Sequence, residues 1–557
     1  MFRMMTVQEK YEFWRKNVQD RALQEQLEKM ETDEVAKENA FFKDLAFGTG
    51  GLRGVLGVGS NCLNIHTIGK ITQGIASYMR KKGMKSVAIS YDSRLQSDEF
   101  ARYTAAVFAQ NGIRAHLTKE LMPTPFLSYI TRTLRADIGV MITASHNPSK
   151  YNGYKVYGSD GCQITDAAVE EIFPFIEGTA LFSERVGDFE ELIKSGRIQY
   201  VSEDLTEGFL DEVLRLCNGA KANLKVTYSA LNGTGYKLVP EALFRAGFTE
   251  VELVQEQSYP DGYFRTCPYP NPEKKAALEL GLAYAKRSGS DILLATDPDC
   301  DRVGIAVKNG ETYELLSGNE VGVLLTDYLL TVKTAAGTLP KKPVVVKTIV
   351  TTDLVKKIGA EYGVELMEVL TGFKYIGECI SALEKAGRAA DYLIGFEESY
   401  GYLTGTHVRD KDGVNGALAI IEMTAYYKKQ GLTLVDRLAQ IYEKYGLYEQ
   451  RLLTYSFEGA SGNAEMKKRL KNLRENLPDE IMGVKVERTV DYLTQTLLPL
   501  PKADVLSFEL ADGSKVIVRP SGTEPLIKTY LSVCFDKKQN AARLLAFNAY
   551  LDGLFAN

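Results

Sequence analysis

A chain of 557 residues, 45% apolar and 25% charged, is too long for one hydrophobic core, and about 150 residues per domain points to three or four domains. Its net charge of -5 offers no general attraction for nucleic acid or anionic membranes, so any phosphate must be held by local basic groups. Cys62, Cys162, Cys217, Cys267, Cys300, Cys379 and Cys534 are odd in number, widely spaced and free of a CxxC pair, which argues against a disulfide framework or a zinc site. The N-terminus lacks the apolar core of a signal peptide and no run of about 18 apolar residues occurs, so a cytoplasmic location is expected.

Residues 6–45 read as amphipathic helix, with Tyr11, Trp14, Val18, Leu23 and Leu27 recurring among charges, and form an N-terminal appendage over 1–45. From Phe47 the pattern becomes α/β: short apolar runs at 87–90 and 139–142 flank a helical stretch at 97–111. A second unit begins near Leu224 and ends with the helix after the strand at 303–307, bounded by the Lys/Pro-rich stretch 332–343. A third starts at Val344 and runs out in helices around 414–444. The last hundred residues alternate as antiparallel strands at 505–510, 515–518 and 527–533 before a terminal helix. The expected architecture is three similar α/β domains with mixed sheets, at 46–210, 211–330 and 331–445, plus a smaller α+β domain at 446–557.

Several loops carry side chains suited to chemistry. At 47–54 the run FGTGGLRG is glycine-rich, but a dinucleotide fingerprint would need glycine where Arg53 stands, so Arg53 reads better as a phosphate contact. The segment 143–148, TASHNP, follows an apolar strand. Ser145 there is either an exposed nucleophile or, with Asn147, a helix cap, and the setting is not the elbow of α/β hydrolases. At 291–302 a strand empties into a loop with Asp297, Asp299 and Asp301 at alternate positions. Three carboxylates so close repel one another without a cation, and hard oxygen ligands suit Mg²⁺. A solvated acidic turn is the alternative, whereas an EF-hand fails because Arg302 and Lys308 occupy its glycine and glutamate positions. The loop after the strand at 391–395 offers Glu397 and Ser399 to vicinal sugar hydroxyls. Lys374 in 371–374, and Arg409 and Lys411 in 407–413, add cations near it in sequence. Arg519, Ser521, Gly522 and Thr523 in RPSGTEP make either a phosphate cradle or a plain hairpin turn.

In this order these segments resemble the α-D-phosphohexomutase superfamily, from Phe47 to the C-terminal domain. The resemblance implies four domains around one central cleft, a phosphorylated Ser145, and Asp297, Asp299 and Asp301 as ligands of Mg²⁺ with a further oxygen from the seryl phosphate. It also implies sugar contacts from Glu397 and Ser399, and binding of the distal phosphate by Arg519, Ser521, Gly522 and Thr523. Arg53, His146, Lys155, Arg302 and Lys411 match positions around the reacting phosphoryl group. The implied reaction interconverts glucose 1-phosphate and glucose 6-phosphate through glucose 1,6-bisphosphate, with the terminal domain closing to exclude water. Lys155 is the expected base, its pKa lowered by Arg53 and a protonated His146. Phe396 and the N-terminal appendage resemble the branch containing phosphopentomutases, so ribose or deoxyribose phosphate is the main rival substrate, with mannose phosphate a further alternative by the same mechanism. A phosphatase with an aspartate nucleophile at 297–299 and a non-enzymatic sugar-phosphate binder are the other classes, separated by Ser145→Ala and by phosphate incorporation. Small sugar phosphates, not nucleic acid or membrane, are the expected partners, and the sequence leaves oligomeric state open.

Overall fold

The structure is a computed structural model that describes residues 5–48, 50–457, 459–496, 498–521 and 526–556. The appendage is three short helices, Val7–Asn17, Arg21–Lys29 and Glu34–Phe41, where the sequence suggested a single amphipathic run. The breaks have a local cause. Asp20 accepts the amide of Leu23 and Asp33 that of Ala36, each capping a new helix start, as Thr6 does for the first with Glu9 in a capping box. The apolar residues do what their spacing implied: Tyr11, Trp14, Val18, Leu23 and Leu27 are buried together with Phe41 and Val58.

The first sheet has six strands in the order Gly51–Val55, Tyr151–Gly158, Ile138–Ile142, Ser86–Tyr91, Arg114–Leu117, Ile198–Tyr200. The last four are mutually parallel, and Tyr151–Gly158 runs antiparallel to both its neighbours. The second sheet repeats the plan: Val251–Leu253, Val226–Ser229 and Ile292–Thr296 are parallel, then Val303–Asn309 turns back antiparallel. The third does so again, with Glu365–Val369, Val344–Thr348 and Tyr392–Glu397 parallel and Gly401–Leu403 antiparallel. Each unit thus ends a buried parallel strand in a tight reversal, and those three reversals lie at 143–150, 297–302 and 398–400. These strands are buried along their whole length and read as apolar runs up to Thr296 and Glu397 at their C-terminal ends, as parallel strands covered on both faces do.

The helix Gly318–Ala335 packs against Tyr392–Glu397 of the third sheet. A Cβ on Gly322 would stand 2.1 Å from the Phe396 ring, so glycine permits this close approach. The third unit therefore begins with this helix, and the boundary at 330/331 drawn from the Lys/Pro-rich stretch falls inside its last turns. The second and third units share one continuous core that also takes in Phe126 and Ile130 of the first.

The terminal domain is a six-stranded antiparallel sheet ordered Tyr448–Ser456, Leu526–Cys534, Lys515–Pro520, Leu506–Leu510, Val484–Asp491, Glu480–Ile481. Residues alternate between buried and half-buried along Leu526–Cys534. The buried face packs under the helices Gly459–Glu475 and Lys537–Phe555 in a separate core containing Leu470, Phe508, Phe547 and Leu551.

Candidate active site

The reversal after Ile138–Ile142 enters the antiparallel strand Tyr151–Gly158, so Ser145 and Asn147 cap no helix. Ser145 sits in the left-handed region at φ 55, a conformation that costs a non-glycine residue about 1–3 kcal/mol and survives only where surrounding bonds over-determine it. Here the Ser145 amide donates to Thr143 Oγ1 at 2.8 Å, Thr143 Oγ1 donates to Asp92 Oδ2 at 2.6 Å, and the other Asp92 oxygen accepts from the Arg94 amide and Ser97 Oγ. The Ser145 hydroxyl, 1% exposed with its residue, lies 3.0 Å from Asp297 Oδ2 and 3.3 Å from His146 Nδ1. Cys300 and Tyr400 in the two matching reversals also have positive φ, at 51 and 68.

Asp297, Asp299 and Asp301 are all buried, with one oxygen of each within 4.8 Å of the others. Asp297 Oδ1 accepts the amides of Asp301 and Arg302, both at 3.0 Å. Asp299 Oδ2 accepts from Thr124 Oγ1 at 2.9 Å and from Lys155 Nζ at 2.8 Å, and Asp301 Oδ2 lies 3.2 Å from Lys411 Nζ. Oδ1 of Asp299 and Oδ1 of Asp301 are buried with no hydrogen-bond partner. Burial, then the charges of Asp299 and Asp301, push the Asp297 carboxyl well above the usual carboxylate range. Burial pushes Asp299 the same way, but neighbouring Lys155 holds it below that range. Two carboxylate oxygens without hydrogen-bond partners, beside a carboxyl whose ionisation burial and its neighbours disfavour, make a hard-oxygen pocket that a small divalent cation fits.

Cations surround this triad. Arg302 pairs with Glu273 and approaches Asp301 Oδ1 to 3.9 Å, and Arg53 Nη1 donates to Asn147 Oδ1 at 3.1 Å. Burial and the neighbouring Arg302 and Arg53 guanidinium groups drop the His146 imidazole well below its ordinary value, which keeps it neutral at pH 7. Lys155 departs from expectation. Burial alone would lower it, but Asp299 and Asp301 win and its pKa is raised. The expected lowering by a protonated His146 does not operate, because that ring is neutral and the nearest charges are carboxylates from another unit.

A cleft of about 1730 Å³ opens over this layer, lined by Arg53 and His146 from the first unit, Arg302 from the second, Glu397 from the third and Arg519 from the terminal domain. Ser399, Lys374, Lys411 and Ser521 also border it. Lys374 Nζ reaches Asp166 of the first unit at 2.9 Å. Gly522 and Thr523 lie outside the described residues. Arg409 does not reach the cleft: it is fully buried, with its guanidinium on Glu384 at 2.6 Å, Ser381 Oγ at 3.2 Å and the carbonyl of Thr406. It fastens the loop from below, while Lys411, two residues on, faces the triad.

Glu397 accepts the Gly372 amide at 2.9 Å. Burial raises it to about 7, with Lys411 pulling it down and Glu398 pushing it up. A carboxyl whose folded pKa is raised contributes stability that is present below its unfolded value and lost as pH rises through the folded one. The metal-free protein is therefore expected to lose melting temperature between about pH 4.5 and 7 in part through Glu397. Thermal scans across that window check this, since Glu397→Gln should flatten the slope and an unchanged slope would refute it.

Sequence reasoning missed Asp92, Arg94, Thr124 and Glu273. Asp92 and Arg94 directly follow the strand Ser86–Tyr91, so the strand-end rule that singled out Asp297 would have found them. Thr124 and Glu273 carry no pattern of their own.

Models of the phosphoglucomutase/phosphomannomutase family match the chain four times: alpha/beta/alpha domain I over residues 44–181, domain II over 207–310, domain III over 317–445 and the C-terminal domain over 464–548. A phosphoglucomutase of Staphylococcus haemolyticus (strain JCSC1435) is 36% identical over 522 residues, 91% of this chain and 93% of that protein. One from Staphylococcus aureus (strain MRSA252) is 34% identical over 541 residues, 94% and 95% of the two chains. Among solved structures, the Paramecium phosphoprotein pp63/parafusin, a phosphoglucomutase in its open form, superposes with a TM-score of 0.68 at 18% identity, covering 92% of this chain and 97% of that one. A putative phosphomannomutase from Thermus thermophilus gives 0.67 at 22% identity over 90% and 99%. Those two structural likenesses concern the fold.

Proposed function

As this chain belongs to the phosphoglucomutase/phosphomannomutase family, we propose that it interconverts glucose 1-phosphate and glucose 6-phosphate through a phosphoserine at Ser145 and glucose 1,6-bisphosphate. The observation that carries this reading is the Ser145 hydroxyl 3.0 Å from Asp297, just beneath a cleft to which all four units contribute.

Phosphorylated Ser145 gives its phosphoryl group to the free hydroxyl of a sugar monophosphate: the Oγ–P bond breaks as the sugar O–P bond forms, and the hydroxyl proton must go to a base. We assign that base to His146, which is neutral and borders the cleft. Lys155, held charged, offsets the negative charge in flight together with Arg53, Arg302 and Lys411. Asp297, Asp299 and Asp301 would hold Mg²⁺, which when bound supplies Lewis-acid stabilisation of that charge. Glu397 and Ser399 hydrogen-bond vicinal sugar hydroxyls, and Arg519 and Ser521 hold the phosphate that does not react. The bisphosphate then turns end for end, so that Ser145 recovers the other phosphoryl group and one site serves both half-reactions.

Relative kcat/KM on glucose, mannose, ribose and deoxyribose phosphates, with Mg²⁺ and catalytic bisphosphate, tests the substrate. Glucose 1-phosphate is expected to lead by at least about tenfold, roughly the discrimination one well-placed hydrogen-bonding contact provides. A pentose phosphate in first place would overturn the glucose assignment and leave the Ser145 chemistry standing.

A further inference from the structure

The segment 255–274 of the second unit has no part in the chemistry above except through Glu273, yet it touches both loops that meet at Ser145 and Asp297. On the metal-loop side it hangs from Asn232, whose side-chain amide donates to the carbonyls of Glu256 at 3.0 Å and Tyr259 at 2.8 Å, and whose own carbonyl accepts the Asp261 amide at 3.2 Å. The next two residues press on Pro298, between the proposed metal ligands. A Cβ on Gly233 would come within 2.4 Å of Pro298 Cα, and the Thr234 amide donates to the Pro298 carbonyl at 2.9 Å.

On the other side, the Asp261 carboxylate accepts the amides of Tyr263 at 3.1 Å and Arg265 at 3.4 Å, shaping a turn in which Phe264 is fully buried at φ 48. A bulky residue in that region is an outlier that packing must enforce. What it packs on is Arg94 of the first unit, whose guanidinium carbon lies 5.0 Å from the Phe264 ring centroid. Gly262 fits against the backbone on either side of Arg94 so closely that a Cβ would meet the Leu95 amide nitrogen at 2.7 Å. The planar fork of Arg94 donates to the carbonyls of Ser145 at 2.5 Å, Pro148 at 2.9 Å, Tyr151 at 3.0 Å, and Asn147, a pattern an ammonium group cannot reproduce.

We propose that the turn at 261–264 is a brace between the metal loop and the phosphoserine loop, with Phe264 a positioning residue that sets the place of Ser145 through Arg94. Both members act on the backbone of the nucleophile loop rather than on substrate. The inference rests on Ser145 being the nucleophile.

The test is single-turnover transfer from phosphorylated enzyme to glucose 1-phosphate for wild type, Arg94→Lys, Phe264→Leu and the double variant, with KM and melting temperature measured alongside. Each single change is expected to slow transfer roughly 10- to 100-fold, the scale of a misplacement of about 1 Å, while KM stays within about twofold. The double variant is expected to be no slower than the slower single one, because the ring acts through the guanidinium. Effects that multiply in the double variant, or singles that match wild type, would overturn the brace. Should Arg94→Lys not fold, Phe264→Leu decides alone: slowed transfer at unchanged KM and melting temperature supports the brace, and a wild-type rate refutes it. A wild type that takes no phosphate at Ser145 would instead sink the underlying mutase reading.

Discussion

Ser145→Ala is expected to lower mutase turnover by on the order of 10⁴- to 10⁶-fold, the scale of losing a covalent nucleophile, and to abolish phosphate incorporation from glucose 1,6-bisphosphate. The size of the effect follows from where the described hydroxyls near the triad stand. Ser145 Oγ is the hydroxyl placed 3.0 Å from Asp297, and the nearby hydroxyls of Thr143 and Thr124 are committed to Asp92 and Asp299. Losing the hydroxyl should leave the fold intact. The Ser145 backbone bonds to Thr143 and Arg94 use main-chain atoms, and alanine pays a similar cost for the left-handed φ. Substrate binding should persist as well, because Glu397, Ser399 and Arg519 are untouched. A coupled assay together with calorimetric binding of glucose 6-phosphate separates the outcomes: no turnover with binding retained is expected, whereas turnover within about tenfold of wild type would end the phosphoserine mechanism. A phosphatase using Asp297 or Asp299 would give that second result.

Much of this site is legible in the sequence because the fold reuses one device. A buried parallel strand that ends in a reversal leaves its apolar run visible and puts whatever follows at or just beneath the cleft, so Ser145, the three aspartates, Glu397 and Ser399 can be picked out by position. The same regularity makes three α/β units readable, since strands buried on both faces read as near-continuous apolar runs. What stays hidden depends on neighbours distant in sequence. Sequence reasoning gives Lys155 a lowered pKa from Arg53 and His146, but the charges that set it come from Asp299 and Asp301, one of them 2.8 Å away across a domain boundary. Arg409 and Lys411 are indistinguishable as cations in one short run, and only the packing of Arg409 beneath the helix Phe373–Lys385 separates a fastener from a site residue. Periodicity identifies a helix and says nothing of which sheet it covers, so the sequence groups Gly318–Ala335 with the wrong unit. The breaks in the appendage are readable at Asp20 and Asp33, where a capping signal interrupts an apolar stripe that continues on either side.

The aspartate triad yields the second large effect, and it separates catalysis from stability. Asp297→Asn is expected to reduce turnover about 10³-fold or more, because the several kcal/mol of charge stabilisation a bound divalent cation supplies is lost with one of three ligands. Chelation of the wild type should have the same result and be reversed by Mg²⁺. The stability of the metal-free protein should move the other way or not at all. Burial and the flanking carboxylates already push Asp297 towards its neutral form, and asparagine imitates that form in shape and charge. Its amide oxygen can still accept the backbone amides of Asp301 and Arg302 that Asp297 Oδ1 holds at 3.0 Å. Relief of like-charge repulsion offsets the lost hydrogen bond from Ser145. A cation at 100 times its Kd stabilises the wild type by about 2.7 kcal/mol, so Mg²⁺ should raise the melting temperature of the wild type and leave that of Asp297→Asn nearly where it was. Differential scanning calorimetry with and without Mg²⁺ reads both quantities at once. An Asp297→Asn protein that melts earlier without metal would mean that the triad is a structural ion-pair cluster neutralised by Lys155 and Lys411. A variant that keeps its Mg²⁺ shift and its turnover would mean that the cation sits elsewhere. The expected pattern, activity lost with apo stability kept, is the one in which three buried carboxylates destabilise the fold for the sake of a cation.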